Sequence, residues 1–282
     1  VNVNRCAISG LIFVMFSICF LNIANAANCQ LERFGSNSWY ECDGVQVTQR
    51  AWESAHERIY NFQQVGDGVV WQYLDAANTY AYYYNKVTGG NLIQLTQTVY
   101  AGHNERIYNF QVAGSHVVWH YLNSANTYAY YSNKVSGGAL TQLTQTVYAG
   151  HNERIFNFRV AGNGIVWQYL NSANTYAYYY ASLTGGNIVQ LTQTTRAGFD
   201  ERIFNFQIVG TRAVWNYLDS RNHFAYYSTP VEGGSIHQIT QTADGFWKDR
   251  LEGFSISGSM ATWRYYSGLY KRTTQHSASI YP

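Results

Sequence analysis

Residues 104–133 read NERIYNFQVAGSHVVWHYLNSANTYAYYSN, and residues 152–181 repeat them almost letter for letter as NERIFNFRVAGNGIVWQYLNSANTYAYYYA. The copy lies 48 residues on, and the same step runs through the chain: Trp71, Trp119, Trp167, Trp215 and Trp263 keep it, as do Arg58, Arg106, Arg154, Arg202 and Arg250. Five units are thereby marked, at about 51–98, 99–146, 147–194, 195–242 and a short 243–282. A fixed period of this length means that each unit is one supersecondary block whose apolar faces are covered by its neighbours.

The second unit contains four runs of strand length, RIYNFQVAG (106–114), HVVWHYL (116–122), TYAYYSN (127–133) and LTQLTQT (140–146), rich in β-branched and aromatic residues. Short Gly, Ser and Asn turns separate them, and no helical spacing is sustained. In the second run Val117, Trp119 and Tyr121 alternate with Val118 and Leu122, so both faces of the sheet are apolar and both need cover. The expectation is an all-β protein, a five-bladed β-propeller of four-stranded antiparallel blades of 48 residues each. The last unit lacks a Leu-Thr-Gln-Thr strand, while Val47-Thr48-Gln49 precedes Leu95-Thr96-Gln97 by 48 residues and matches it. Residues 29–49 are therefore expected to complete the last blade and close the ring.

The string VAGSHVVWHYLNSANTYAYYSNKVSGGALTQLTQT resembles the repeat of TolB-type propellers, with its Gly turn, Val-Val-Trp strand, Tyr-rich strand, Gly-Gly hairpin and Leu-Thr strand. The resemblance spans residues 51–282 and implies the blade rather than an activity. It departs from that family in having five units in place of six blades and no extra N-terminal domain. Five blades also resemble the architecture of tachylectin-2-type lectins, without that family's sequence signature.

Residues 1–26 differ in kind: one positive charge, the apolar run CAISGLIFVMFSICFLNI and Ala24-Asn25-Ala26 form a signal-peptide pattern, with a membrane anchor as the alternative. The expectation is an exported protein, periplasmic or secreted, with residues 27–282 as one domain, a monomer without a membrane span once the leader is cleaved. Cys29 and Cys42 then remain as a pair, and a hairpin turning at Gly35-Ser36 sets them opposite each other for a disulfide. A formal charge of +2 with 12% charged residues gives no basic stripe, so nucleic acid is not an expected partner.

Candidate binding residues lie in the loops at one end of the strands. The loops between units carry Trp52, Tyr100, His103, Tyr148, His151 and Trp247; the turns between second and third strands carry Asn123, Asn126, Asn171 and Asn174. Rings beside amides suit a sugar, whose apolar face stacks and whose hydroxyls take directional hydrogen bonds. The same Asn residues also suit turns that bond their own backbone. The acid–Arg pair opening each unit, Glu57-Arg58 to Asp249-Arg250, reads as an ion pair or strand-to-loop clamp. The position after Trp varies, as Gln72, His120, Gln168, Asn216 and Arg264. Catalytic motifs are missing, no singular acid, base and nucleophile set stands out, and no metal or cofactor is expected. Binding of a glycan through repeated loops is the leading expectation, with a TolB-like scaffold for another exported or envelope protein as the alternative and a glycan-active enzyme as the least favoured reading.

Overall fold

A computed structural model describes residues 27–282 except residue 199; the leader expected at 1–26 lies outside the described residues. The chain is all-β and built from repeated propeller-type blades. In the second unit Arg106–Ala113, His116–Leu122, Thr127–Lys134 and Thr141–Gln142 form an antiparallel meander, and Val147–Tyr148 returns to pair with the third strand. The other three full units repeat this pattern.

The fourth strand is shorter than the run 140–146 suggested. After Thr141–Gln142 the ladder is continued by a side chain, because the Thr144 hydroxyl accepts the Tyr130 N–H at 3.1 Å. That leaves Leu143 buried and carries Gln145 to the next unit, where its Oε1 accepts the Trp167 indole N–H at 3.0 Å. The same bond joins Trp71 to Gln49, Trp119 to Gln97, Trp215 to Gln193 and Trp263 to Gln241, at 2.7–3.0 Å. Each core cluster mixes two successive units: Val70, Tyr82 and Leu95 of one pack with Val117 and Trp119 of the next. Tyr82 also lies flat against Phe110 of the next unit, ring centroids 3.9 Å apart, and the other junctions repeat the stack.

The N-terminal strands do not complete the last blade. Cys29–Phe34 and Asn37–Cys42 form a separate sheet with Val45–Gln46 and Ala51–Trp52, packed on the first full unit through Cys42, Val47 and Trp71. Arg250–Ser257, Met260–Ser267 and Arg272–Ser279 form another, so the third strand of the last unit comes from the C-terminal segment itself. Among the described residues, no pairing joins these two sheets. The physical reason lies in their outer faces. Val70, Val118, Val166 and Val214 are fully buried against the following unit, but Thr262 takes that place in the last sheet and is exposed beside exposed Arg264. On the first sheet Glu32, Trp39 and Glu41 face outward, with the Trp39 indole N–H bonded to Glu41 and the Arg50 guanidinium over the Trp39 ring. Polar outer faces of this kind end a stack of repeats in water without a covering partner.

Cys29 and Cys42 are Cα partners and are joined by a disulfide. Closing so short a loop contributes about 3 kcal/mol by the chain-entropy estimate.

One slot in the blade is filled in two ways. Gly68 lies diagonally across the ladder from Tyr84 and Gly164 from Tyr180, and the equivalent diagonal neighbours in the other two units are His116 with Ser132 and Arg212 with Ser228. A Cβ at Gly68 or Gly164 would overlap the tyrosine ring. Where the second-strand residue is large, the third-strand residue is small; its hydroxyl then reaches a carbonyl of the next unit, Ser132 to Leu183 and Ser228 to Ile280.

Candidate functional site

The loops between units and the turns between second and third strands share one end of each sheet, as the pairing of Thr127 with Tyr148 requires. Each loop is built from its own backbone. Asn78, Asn126, Asn174 and Asn222 adopt left-handed φ near 60°, a conformation Asn tolerates because its short amide can bond locally. Asn126 Nδ2 donates to the Ala149 carbonyl and Asn174 Nδ2 to Ala197, while Asn123 and Asn171 accept the N–H of Thr127 and Thr175. These four Asn side chains bond within the loop scaffold. The acid opening a unit acts as a clamp at four of the five positions: Glu57 accepts the Trp52 N–H at 2.8 Å, Glu201 the Arg196 N–H at 3.1 Å, and Glu105 and Asp249 the Tyr100 and Asp244 N–H at 3.4 Å. The ion pairs of the described residues do not include an acid with the Arg that follows it. At the last unit Asp249 also accepts the Tyr265 hydroxyl at 2.6 Å, and burial with this bond pushes Tyr265 up to about 12.

What the scaffold presents to solvent is aromatic. Tyr100 and Tyr148 are each about half exposed, and each lies against a histidine of its own loop: Tyr100–His103 at 5.4 Å and Tyr148–His151 at 5.5 Å, inclined by 29° and 30°. The two platforms are copies one unit apart. Trp52 and Trp247 are exposed at the corresponding loops of the first and last units. Among the described residues, no group of three or more His, Cys, Asp or Glu comes together.

A second set of grooves was not anticipated. Two residues of the first strand oppose one of the second at a bulge, for example between Tyr60 and Gln63, and the bulged Asn61, Asn109, Asn157 and Asn205 have φ near +50°. These residues and the Tyr–Phe stacks line grooves of about 420, 540 and 440 Å³ along the first strands. The signal was present as the recurring Asn-Phe of RIYNF and RIFNF, read earlier only as strand.

The variable position after Trp faces this bulge. Gln72 and Gln168 accept an amide N–H from Asn61 and Asn157 at 2.9 Å, but His120 sits among the rings of Tyr108, Tyr128 and Tyr130 with Nε2 buried and unpartnered. Burial pulls the imidazole down from 6.5 to about 4. The folded form is neutral, so stability is complete above the unfolded value and falls as pH drops through that interval, by roughly 3 kcal/mol in all. His120→Gln is expected to remove this acid-sensitive part and to offer Asn109 the glutamine partner that Asn61 and Asn157 have. Urea unfolding of both proteins near pH 7 and near pH 4.5 checks it; an equal pH dependence in the two proteins contradicts the assignment.

No protein-family model and no curated protein matches the chain. Among solved structures, oligopeptidase B from Leishmania major is 11% identical over 90% of this chain and 39% of its own, with a TM-score of 0.37. A TolB-like protein from Agrobacterium tumefaciens is 12% identical over 76% of each chain, TM-score 0.33, and the WD40 domain of SCAP from fission yeast is 8% identical over 89% and 73%, TM-score 0.33. The chain spans about two fifths of the length of the peptidase. Likeness at this level carries no argument about activity. Among the described residues, no helix is long and apolar enough to cross a membrane.

Proposed function

We propose that this protein is a non-catalytic binding module of the cell exterior or periplasm that holds carbohydrate at repeated loop sites. The observation that carries the reading is the pair of Tyr–His platforms, Tyr100 with His103 and Tyr148 with His151, set out alike on successive units. A sugar ring stacks its apolar face on the exposed tyrosine, and the histidine nitrogens bond its hydroxyls. Asn123, Asn126, Asn171 and Asn174 hold the loops in shape. Two weak equal sites on one rigid body favour a ligand that is itself repetitive, since the second contact is intramolecular.

Calorimetric titration with monosaccharides chosen from a glycan array tests this. Tyr100→Ala and Tyr148→Ala should each remove one site and leave the other's affinity unchanged, while avidity for the corresponding polysaccharide drops on the order of 100-fold. Wild-type protein without saturable sugar binding, or a double variant of unchanged stoichiometry, overturns the proposal.

A further inference from the structure

The last unit breaks the repeat at two adjoining tips. Residues 244–249 and 267–271 carry Phe246, Trp247, Leu269 and Tyr270, exposed at 75%, 61%, 60% and 69%. Among the described residues only one other large apolar side chain, Phe34, is exposed as fully. Large apolar groups held in water at this density mark a contact surface, because single scattered exposure is ordinary and clustering is not.

The two tips are locked to each other. Gly268 packs on the Trp247 carbonyl so closely that a Cβ would overlap it, and the Gly268 N–H donates to Asp249 Oδ1 at 2.9 Å. Asp249 Oδ2 accepts the Tyr265 hydroxyl, and Asp244 accepts the Phe246 N–H while lying 3.6 Å from His223. Both acids thus bond within the tips. The cations are in solvent: Lys248, Arg250, Lys271 and Arg272 are all exposed, and none takes part in an ion pair of the described residues. The Arg272 guanidinium lies 5.4 Å over the Tyr270 ring. In the preceding unit the positions matching Phe246, Trp247 and Lys248 are Gly198, Phe199 and Asp200, so the last unit has a second ring in place of a glycine and a reversed charge beside it.

We infer that these two tips form a lipid-anchoring surface that seats in the interface of an anionic bilayer. Trp, Tyr and Phe above a rim of Lys and Arg match the depth profile of a membrane surface: rings settle at headgroup level, apolar groups reach the acyl boundary, and long cationic side chains extend back to lipid phosphates. The rim supplies the charge complementarity, and the tips project as loops, the shape for entering a lipid surface. The inference is independent of the sugar sites, which lie on other units.

The test uses the chain beginning at Ala27, which contains every strand described and omits the apolar run 6–23, with folding checked by circular dichroism. Cosedimentation is measured with vesicles of phosphatidylglycerol and phosphatidylcholine mixed, and of phosphatidylcholine alone. Binding is expected on the anionic vesicles, weakened by salt, and weaker on the neutral ones. Phe246→Ser with Trp247→Ser should lower it more than tenfold. Each neutralisation, Lys248→Gln, Lys271→Gln or Arg272→Gln, should lower anionic binding on the order of fivefold. Brominated lipid should quench wild-type fluorescence, and Trp247→Phe made in a Trp52→Phe background should remove that quenching, since the tryptophans at the unit junctions are buried. Tyr100→Ala with Tyr148→Ala should bind vesicles as the wild type does, which separates this surface from the sugar sites. Failure to cosediment with anionic vesicles, or equal binding by the tip variants, overturns the inference; capture of a protein through the same tips with no lipid binding likewise assigns the surface elsewhere.

Discussion

Trp167→Ala is expected to destabilise the protein by roughly 3–5 kcal/mol, the range for truncating a buried aromatic side chain to a methyl group. Trp167 is fully buried at a central junction, among Val118, Tyr130 and Leu143 of the preceding unit and Ile165, Ala181 and Leu183 of its own. Truncation opens a void between two sheets that are each held rigid by their ladders, so collapse around it is limited. It also strips Gln145 Oε1 of the indole donor. Trp167→Phe separates the two effects: most of the packing remains and the bond is lost, at about 1 kcal/mol. Trp263→Ala should cost less than Trp167→Ala, because its sheet turns a polar face to water and can relax outward. Urea midpoints at constant slope report all three. A central variant no less stable than the terminal one contradicts this account of the junctions.

Removal of residues 27–49 is expected to have a larger effect still. It uncovers Val69 and Trp71, both fully buried, and removes the Tyr40–Phe62 stack, the Gln49–Trp71 bond and the disulfide. Several core side chains at about 1.5–3 kcal/mol each place the loss on the order of 5–10 kcal/mol. In a stack stabilised by nearest neighbours, the first full unit should unfold ahead of those behind it. Limited proteolysis should therefore cut first within residues 58–94 and only later beyond residue 106. A truncated chain that melts with the full one would show that the N-terminal sheet contributes nothing to the first unit.

Much of the fold was legible because one period is written five times. The Trp, Gly and Arg landmarks fix strand positions to within a residue or two, and the apolar pattern on both strand faces announces neighbours on both sides. Cys29 and Cys42 were placed by hairpin arithmetic alone. The ends were misread for a definite reason: Val47-Thr48-Gln49 does match the later Leu-Thr-Gln segments, and it does clasp a tryptophan, but that tryptophan is Trp71 of the next unit. A matching strand reveals what it contacts ahead of it and says little about which sheet it leaves behind. Thr262 in the place of Val214 was the readable sign that the last sheet has a wet face. At the candidate site the exposed tyrosines were legible from their loops. The inward bonding of Asn126 and Asn174 was not, because an amide in a turn serves scaffold and ligand with the same chemistry. Nor was the approach of the tips at 244–249 and 267–271, which depends on how the last sheet's turn meets the loop before it.

The alternation of Gly–Tyr with His–Ser and Arg–Ser constrains how such a gene can recombine. Near-identical copies invite unequal crossover, and a crossover between whole units carries both members of each pair together. A breakpoint between the second and third strands would instead join Gly to Ser and leave a hole, or His to Tyr and force an overlap. Either product loses packing at a buried slot. Heritable gain or loss of copies is thereby channelled toward breaks in the loops, so the unit that can be duplicated and the unit that can fold coincide.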